Sequence, residues 1–470
     1  MSYIYIYIYA AFSFGACQED LDLTVSQPHP TDSSREIVFR DFSPKEGAVR
    51  TQFYITGSNF GTDPSKIHVS IGGREAKVIG ANGQTIYCMV PKRAYSGEVK
   101  VSIEDAGGNV VASHVFDDTF DYHKKTTVGT LIRKVDERGL GLGNIAGPIE
   151  EAAFQTGAFL RYNYKEGEYD EIICGGWNSG IHIVDFMKGT FDLLIPYQHT
   201  QMRTFDFTAD CDTLLIPDDN YDAYSNALPN IYYSVRSEGF GRLRPYHYGP
   251  CAFGVLSTPD HHLFYSTWNR GAIVKANGTY NAATKQWEDK TLFEVATFMR
   301  AGNGMRMHMI LHPSGKFMYI LGPAMMAILK SEYDAQTHEF LYPTVLCGAP
   351  EESGYVEATG SMARFSQFLL QGVFVKNRDY ERQGKEDIYD FYLSDPYNHC
   401  IRRITPEGSV SLFAGRSNST ADGSIIGYVD GDPLKEARFT QPQGITYDER
   451  NETFYVAEWD NHSLRYITTE

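Results

Sequence analysis

From about residue 126 to its end, the chain places its hydrophobic residues by one rule. Short apolar runs alternate with Gly, Asp, Asn and Pro, and no stretch keeps the period of a long helix. Six runs read as strand cores: Glu171-Ile172-Ile173-Cys174, Thr213-Leu214-Leu215-Ile216, His262-Leu263-Phe264-Tyr265, Phe317-Met318-Tyr319-Ile320, Asp390-Phe391-Tyr392-Leu393 and Thr453-Phe454-Tyr455-Val456. They divide the region into six units of roughly fifty residues, each long enough for a four-stranded sheet. Residues 37 to 124 carry a different pattern: shorter alternating runs at closer spacing, as in Phe53-Tyr54-Ile55-Thr56-Gly57 and Gly97-Glu98-Val99-Lys100-Val101. That spacing predicts an antiparallel sandwich. At the front, Tyr3 to Ala16 is an apolar run too short to span a bilayer as a helix.

The last hundred residues contain one pattern twice. Gly354-Tyr355-Val356-Glu357 and Ala363-Arg364-Phe365-Ser366-Gln367 lead into Ser394-Asp395-Pro396-Tyr397-Asn398-His399-Cys400-Ile401-Arg402-Arg403-Ile404. Gly427-Tyr428-Val429-Asp430 and Ala437-Arg438-Phe439-Thr440-Gln441 lead into Ala457-Glu458-Trp459-Asp460-Asn461-His462-Ser463-Leu464-Arg465-Tyr466-Ile467. A duplicated strand-and-turn unit cannot bury its faces alone and must stack on copies of itself. These residues resemble the NHL repeat, which implies an all-β fold: a six-bladed NHL-type β-propeller over residues 126–470. The last unit ends one strand short, while Thr127-Val128-Gly129-Thr130-Leu131-Ile132 precedes the first complete unit and has none of its own. Residues 126–135 are therefore expected to pair as the outer strand of the last blade, removing an exposed sheet edge.

Within residues 37–124, the order of Pro44-Lys45-Glu46-Gly47, Gly57-Ser58-Asn59-Phe60-Gly61, Ile71-Gly72-Gly73 and Val90-Pro91 resembles the IPT/TIG immunoglobulin-like domain. Its Gly and Asn residues are expected to serve turns with positive φ, and such a domain usually acts as a spacer. The apolar run at the front ends in Phe14-Gly15-Ala16-Cys17, which resembles a bacterial lipobox; residues 1–17 then form a signal peptide with Cys17 as the acylated thiol. The acidic tract Gln18-Glu19-Asp20-Leu21-Asp22 resembles a signal for the outer face of a Gram-negative outer membrane. Residues 18–36, rich in Ser, Thr, Pro and Asp, have the composition of a flexible tether. That tail argues against the rival reading, a buried N-terminal strand.

Composition narrows the partners. Aromatic residues make up 14% of the chain and Tyr dominates them, which suits strands and carbohydrate-facing surfaces. The net charge of −17 argues against nucleic acid as a partner, and against an anionic membrane except through a lipid anchor. Cys88, Cys174, Cys211, Cys251, Cys347 and Cys400 show neither a CxxC pair nor zinc spacing. Most lie in apolar strand-like runs and read as small buried hydrophobes, with a disulfide left open.

Aligning the units by the turn after their second strand brings together Gly176-Trp177-Asn178, Asp219-Asn220-Tyr221, Thr267-Trp268-Asn269-Arg270, Tyr397-Asn398-His399 and Trp459-Asp460-Asn461-His462. The fourth unit breaks the series with Gly322-Pro323-Ala324-Met325-Met326. Three of four tryptophans occupy one equivalent position. Flat rings with nearby amides and carboxylates suit a pyranose, so Trp177, Asn178, Asn220, Tyr221, Trp268, Asn269, Arg270, Tyr397, Trp459 and Asp460 are the candidate ligand contacts. Asn398, His399, Asn461 and His462 are expected to brace the turns, and Arg402 and Arg465 to pair with acidic groups of neighbouring blades. Some propellers are polysaccharide lyases, for which His308, His312, His199 and His247 would be the candidates. His308 and His312 are too far apart along a strand to share a metal easily. Asp218-Asp219-Asn220-Tyr221-Asp222 has oxygen ligands suited to Ca²⁺ but lacks the Gly and terminal Glu of an EF-hand loop, and reads as a solvated loop. No catalytic residue, metal or cofactor is assigned.

The combination resembles a surface lipoprotein of a bacterial polysaccharide-uptake system. The resemblance implies non-catalytic binding of a polysaccharide or oligosaccharide beside an outer-membrane transporter and other glycan-binding partners. A propeller lyase or hydrolase, and a protein-interaction scaffold, are the alternatives.

Overall fold

The computed structural model describes residues 28–92, 94–155, 157, 159–176, 179–196, 204–219, 228–268, 271–278, 280–281, 286–295, 298, 306–417 and 423–470. The fold is all-β, and it divides into two compact units near Lys125. Cys17, the signal segment and the acidic tract lie outside the described residues.

The first unit is a sandwich. One sheet orders Val38–Ser43, Gln52–Ser58, Thr85–Met89 and Val78–Ala81; the other orders Glu46–Gly47, Val110–Tyr122, Gly97–Glu104, Ile67–Ile71 and Arg74–Ala76. Strict alternation along Gln52–Ser58 sends Phe53 and Ile55 inward, where they meet Phe42, Val69, Ile86 and Val101 in one core. Asn59 takes a left-handed φ of 62°. Its side chain accepts from the Asp32 amide and donates to the carbonyls of Asp32 and Arg35, while the Thr62 amide donates to the His29 carbonyl. The stretch expected as tether is thus held against the sandwich from His29 onward.

The second unit contains, among the described residues, six antiparallel sheets of four or more strands. Each is built on a meander whose second strand is a predicted strand core: Tyr169–Gly175, Thr213–Pro217, Leu263–Thr267, Phe317–Leu321, Tyr389–Asp395 and Thr453–Glu458; Gly147–Pro148 and Thr126–Arg133 add outer strands to the first and sixth sheets. These strands are buried on both faces, which is why their apolar runs are nearly continuous. The sixth sheet closes as expected. Thr126–Arg133 pairs antiparallel with Ser463–Thr469 and buries Val128 and Ile132. Gly129 lies opposite Tyr466, whose ring fills the space a side chain would take.

Candidate functional site

The two clean repeats build the same buried polar knot. In the fifth sheet the Asp395 carboxylate accepts from the Ser366 amide at 2.9 Å and from Asn398 Nδ2 at 2.8 Å, with Arg402 at 3.4 Å. In the sixth, Glu458 accepts from the Thr440 amide at 2.7 Å, Asn461 Nδ2 at 2.7 Å and Arg465 at 2.9 Å. Arg402 lies against Tyr355, and Arg465 against Tyr428, with 4.4 and 4.7 Å from guanidinium carbon to ring centroid. Burial raises the carboxyls of Asp395 and Glu458, opposed by these donors and cations.

Asn398 and Asn461 therefore brace turns, and His399 and His462 take left-handed φ values of 54° and 48° there. The arginine expectation needs correcting. Each pairs first with an acid of its own sheet, because residues one strand apart in a hairpin come within ion-pair reach. Arg465 adds Asp430, from the link between the fifth and sixth sheets.

The expected ligand contacts are only partly described. Trp177, Asn178, Asn220, Tyr221, Asn269 and Arg270 lie outside the described residues, as do His199 and Asp222. Trp268 is half-buried, and its Nε1 finds no acceptor among the described residues. Tyr397 and Trp459 are exposed by 47% and 37%, at equivalent turns of the fifth and sixth sheets. Gln441 links those turns: its amide donates to His399 Nδ1 at 3.2 Å and its Nε2 to Asp460 at 2.6 Å. Tyr397 also meets Phe368 edge-on at 5.6 Å. In the fourth sheet Met325 and Met326 are buried in place of a polar turn. The tract read as a solvated loop instead begins with two buried carboxylates, Asp218 and Asp219, because it continues directly from the buried strand Thr213–Pro217.

A cavity of about 420 Å³ opens elsewhere, among the first strands of all six sheets. Arg161, Asp206, Ser257, His308, Gln371 and Thr446 contribute to its polar lining, one residue in or beside the first strand of each sheet, and none of the four expected contacts that are described, Trp268, Tyr397, Trp459 and Asp460, lines it. It reaches Thr208, Pro259 and Pro313, in turns between first and second strands. In a meander those turns lie at the opposite end of the sheet from the turns carrying Trp268, Tyr397 and Trp459.

Each polar group is held in place. Gln371, 8% exposed, accepts from the amides of Leu160 and Ile445 at 2.9 and 3.0 Å and donates to the Leu160 carbonyl at 2.7 Å. It thereby ties the fifth sheet to the first and sixth. Asp206 accepts from the amides of Phe207 and Ser257 and faces Arg161 at 3.6 Å; burial nevertheless raises its carboxyl above the usual range. The His308 ring lies edge-on to Phe159 at 5.0 Å, with Nδ1 3.0 Å from the Leu370 carbonyl. Burial lowers its pKa to about 4, so the ring is neutral at pH 7, donating from Nδ1 and leaving Nε2 as an acceptor.

His312 also lines the cavity but is packed as a core residue, stacked on Phe317 at 4.1 Å with Nε2 3.3 Å from Asp387. His247 is buried between Asn230 and Asp289. The six assignable cysteines are unpaired, and burial pushes the thiol of Cys88 up to about 12 and that of Cys251 up to about 11.

Sequence reasoning missed Arg161, Asp206, Gln371 and Thr446. One signal existed: Gln371-Gly372-Val373 and Gln443-Gly444-Ile445 recur at the start of the first strand in both clean repeats. The glycine is needed there because a side chain on Gly372 would strike Phe391, and one on Gly444 the Gly157 carbonyl.

Comparison with known proteins places both units. The family described as IPT/TIG domain matches residues 38–122. A crystal structure of an auxiliary nutrient binding protein from Bacteroides ovatus ATCC 8483 is 31% identical, with a TM-score of 0.77 over 94% of this chain and 100% of that one. An auxiliary nutrient binding protein from Bacteroides thetaiotaomicron VPI-5482 is 33% identical, with a TM-score of 0.65 over 94% and 99%. A third chain, from the latter strain and described provisionally as a phosphatase, is 28% identical with a TM-score of 0.65 over 94% and 99%. No curated protein matches.

Proposed function

The chain belongs to the same family as the Bacteroides auxiliary nutrient binding proteins, and from that premise we propose that it binds a glycan nutrient without cleaving it. The observation that carries this reading is the cavity. Its volume of about 420 Å³ falls in the range of small-ligand sites. Arg161 and Gln371 bring donors, Asp206 and neutral His308 bring acceptors, and Phe205 and Phe374 add apolar wall. Such a lining suits a molecule that presents hydroxyls and C–H faces together. Binding without catalysis is favoured because burial lowers the His308 pKa to about 4, which leaves its free Nε2 a weak base although still a hydrogen-bond acceptor. Asp206 is likewise engaged by two amides and faced by an arginine.

A second seat is favoured by the exposure of Tyr397 and Trp459 and by Trp268 Nε1, which has no acceptor among the described residues. The lipobox-like Phe14-Gly15-Ala16-Cys17 supports a lipid-anchored protein at the outer face of an outer membrane, beside a transporter that takes up the captured glycan. Affinity electrophoresis and calorimetry with an oligosaccharide panel test the reading. Arg161→Ala should weaken binding at least tenfold while Trp459→Ala leaves it unchanged. The reverse result would move the ligand to the aromatic turns. Retardation by no glycan would favour a protein-interaction scaffold, and product release from a glycan or phosphate ester would make the chain an enzyme.

A further inference from the structure

Asp260 and His262 sit in the turn between Ala252–Ser257 and Leu263–Thr267 of the third sheet, while His338 sits in the hairpin between Ala327–Asp334 and Glu339–Phe340 of the fourth. One carboxylate oxygen and one nitrogen from each imidazole lie within 4.8 Å of one another. The two rings approach to 4.6 Å between centroids, so both imidazoles face the same small space beside the carboxylate. Asp260 Oδ2 accepts from His338 Nδ1 at 2.8 Å and from the Tyr333 hydroxyl at 2.7 Å; Oδ1 accepts from Thr258 at 2.5 Å. The carboxylate is thus oriented by two hydroxyls, in the way outer partners commonly fix a metal ligand. Among the described residues its ion-pair partner is His338 and no lysine or arginine. Lys275, nearby, is engaged on the Thr337 carbonyl. His338 adopts a left-handed φ of 54°, uncommon for a residue other than glycine, and this backbone turns its ring toward Asp260.

We propose that Asp260, His262 and His338 form a site for a divalent transition cation of the Zn²⁺ type. Two imidazole nitrogens and one carboxylate oxygen suit this class, and three protein ligands leave a fourth position to water or an exogenous anion. A cation bound at His338 Nδ1 takes the place of the hydrogen bond to Asp260, and the neutral ring keeps its one proton on Nε2. The bound ion joins the third and fourth sheets at their turns, and it shares no ligand with the cavity.

The test uses tag-free full-length protein stripped with chelator, with Co²⁺ as the spectroscopic probe and Zn²⁺ in competition. One saturable equivalent of Co²⁺ with visible d–d absorption, displaced by Zn²⁺, is expected. His262→Ala and His338→Gln should each weaken it at least tenfold, with melting temperatures in chelator close to the parent's. His262→Ala is the safer fold control, because among the described residues the turn is held by the His262 backbone amide on Thr258 and by no hydrogen bond of its ring. Absence of a saturable band would overturn the proposal. So would a band unchanged in both variants, since the cation would then sit elsewhere, the exposed Glu46, Asp121 and His123 group included.

Discussion

At the residue scale the buried arginines and the cavity histidine make the firmest statements. Arg465 and Glu458 both have fully buried side chains, so each is the other's substitute for water. Removing one leaves an uncompensated charge, at about 3–5 kcal/mol. Arg465→Met should therefore lower the urea-unfolding free energy by about that amount, and Arg402→Met should do likewise in the fifth sheet. A cost below about 1 kcal/mol would mean that water reaches the knot. His308 gives a pH dependence of defined sign. Its folded pKa is depressed from 6.5 to about 4 by burial, so its contribution is complete above the unfolded value and is lost as pH falls through 6.5 toward 4. At 1.36 kcal/mol per unit, about 2 kcal/mol should disappear between pH 7 and pH 5. His308→Gln, whose amide can still donate to the Leu370 carbonyl, should reduce the stability difference between those two pH values by about that much. His182, His262, His312 and His399, depressed in the same direction by burial, keep the remaining slope.

At the scale of elements, the sixth sheet owes its closure to a strand from the other end of the second unit. Thr126–Arg133 covers an edge that would otherwise offer unpaired amides and carbonyls to other chains. Deleting it also exposes the partners of Val128 and Ile132, each worth about 1.5–3 kcal/mol of burial. The shortened chain should unfold at lower urea and aggregate on refolding, seen by light scattering beside the denaturation curve. A milder probe is Gly129→Val, which places a branched side chain against the Tyr466 ring; overpacking of this kind costs about 1–3 kcal/mol. This closure was legible in the sequence because a missing strand at one end matched a spare one at the other. The strand cores were legible for a related reason: a strand buried on both faces has no choice but a continuous apolar run. The cavity was not. Arg161, Asp206 and Thr446 come from first strands of different sheets, and nothing local marks a residue as facing a channel that exists only after the sheets assemble. The arginine pairing was misjudged because sequence spacing does not show which neighbour a long side chain reaches.

At the scale of the molecule, charge and anchoring have to be reconciled. A chain of net charge −17 is repelled by anionic headgroups, so the proposed retention at a membrane would draw on acyl chains, each adding about 0.8 kcal/mol per buried CH₂. The proposed role needs that retention. A weak glycan site beside a transporter works through effective concentration, which a diffusing protein forfeits. Cys17→Ala should therefore move the protein from the membrane pellet to the soluble fraction of its native cells while leaving the purified protein's glycan affinity unchanged. Growth on the cognate glycan should slow although binding in solution is intact. Retention of the variant in the pellet would place the attachment somewhere other than that thiol. Parallel loss of affinity would mean that the N-terminal segment takes part in the ligand site, and capture and anchoring would then have to be treated as one function.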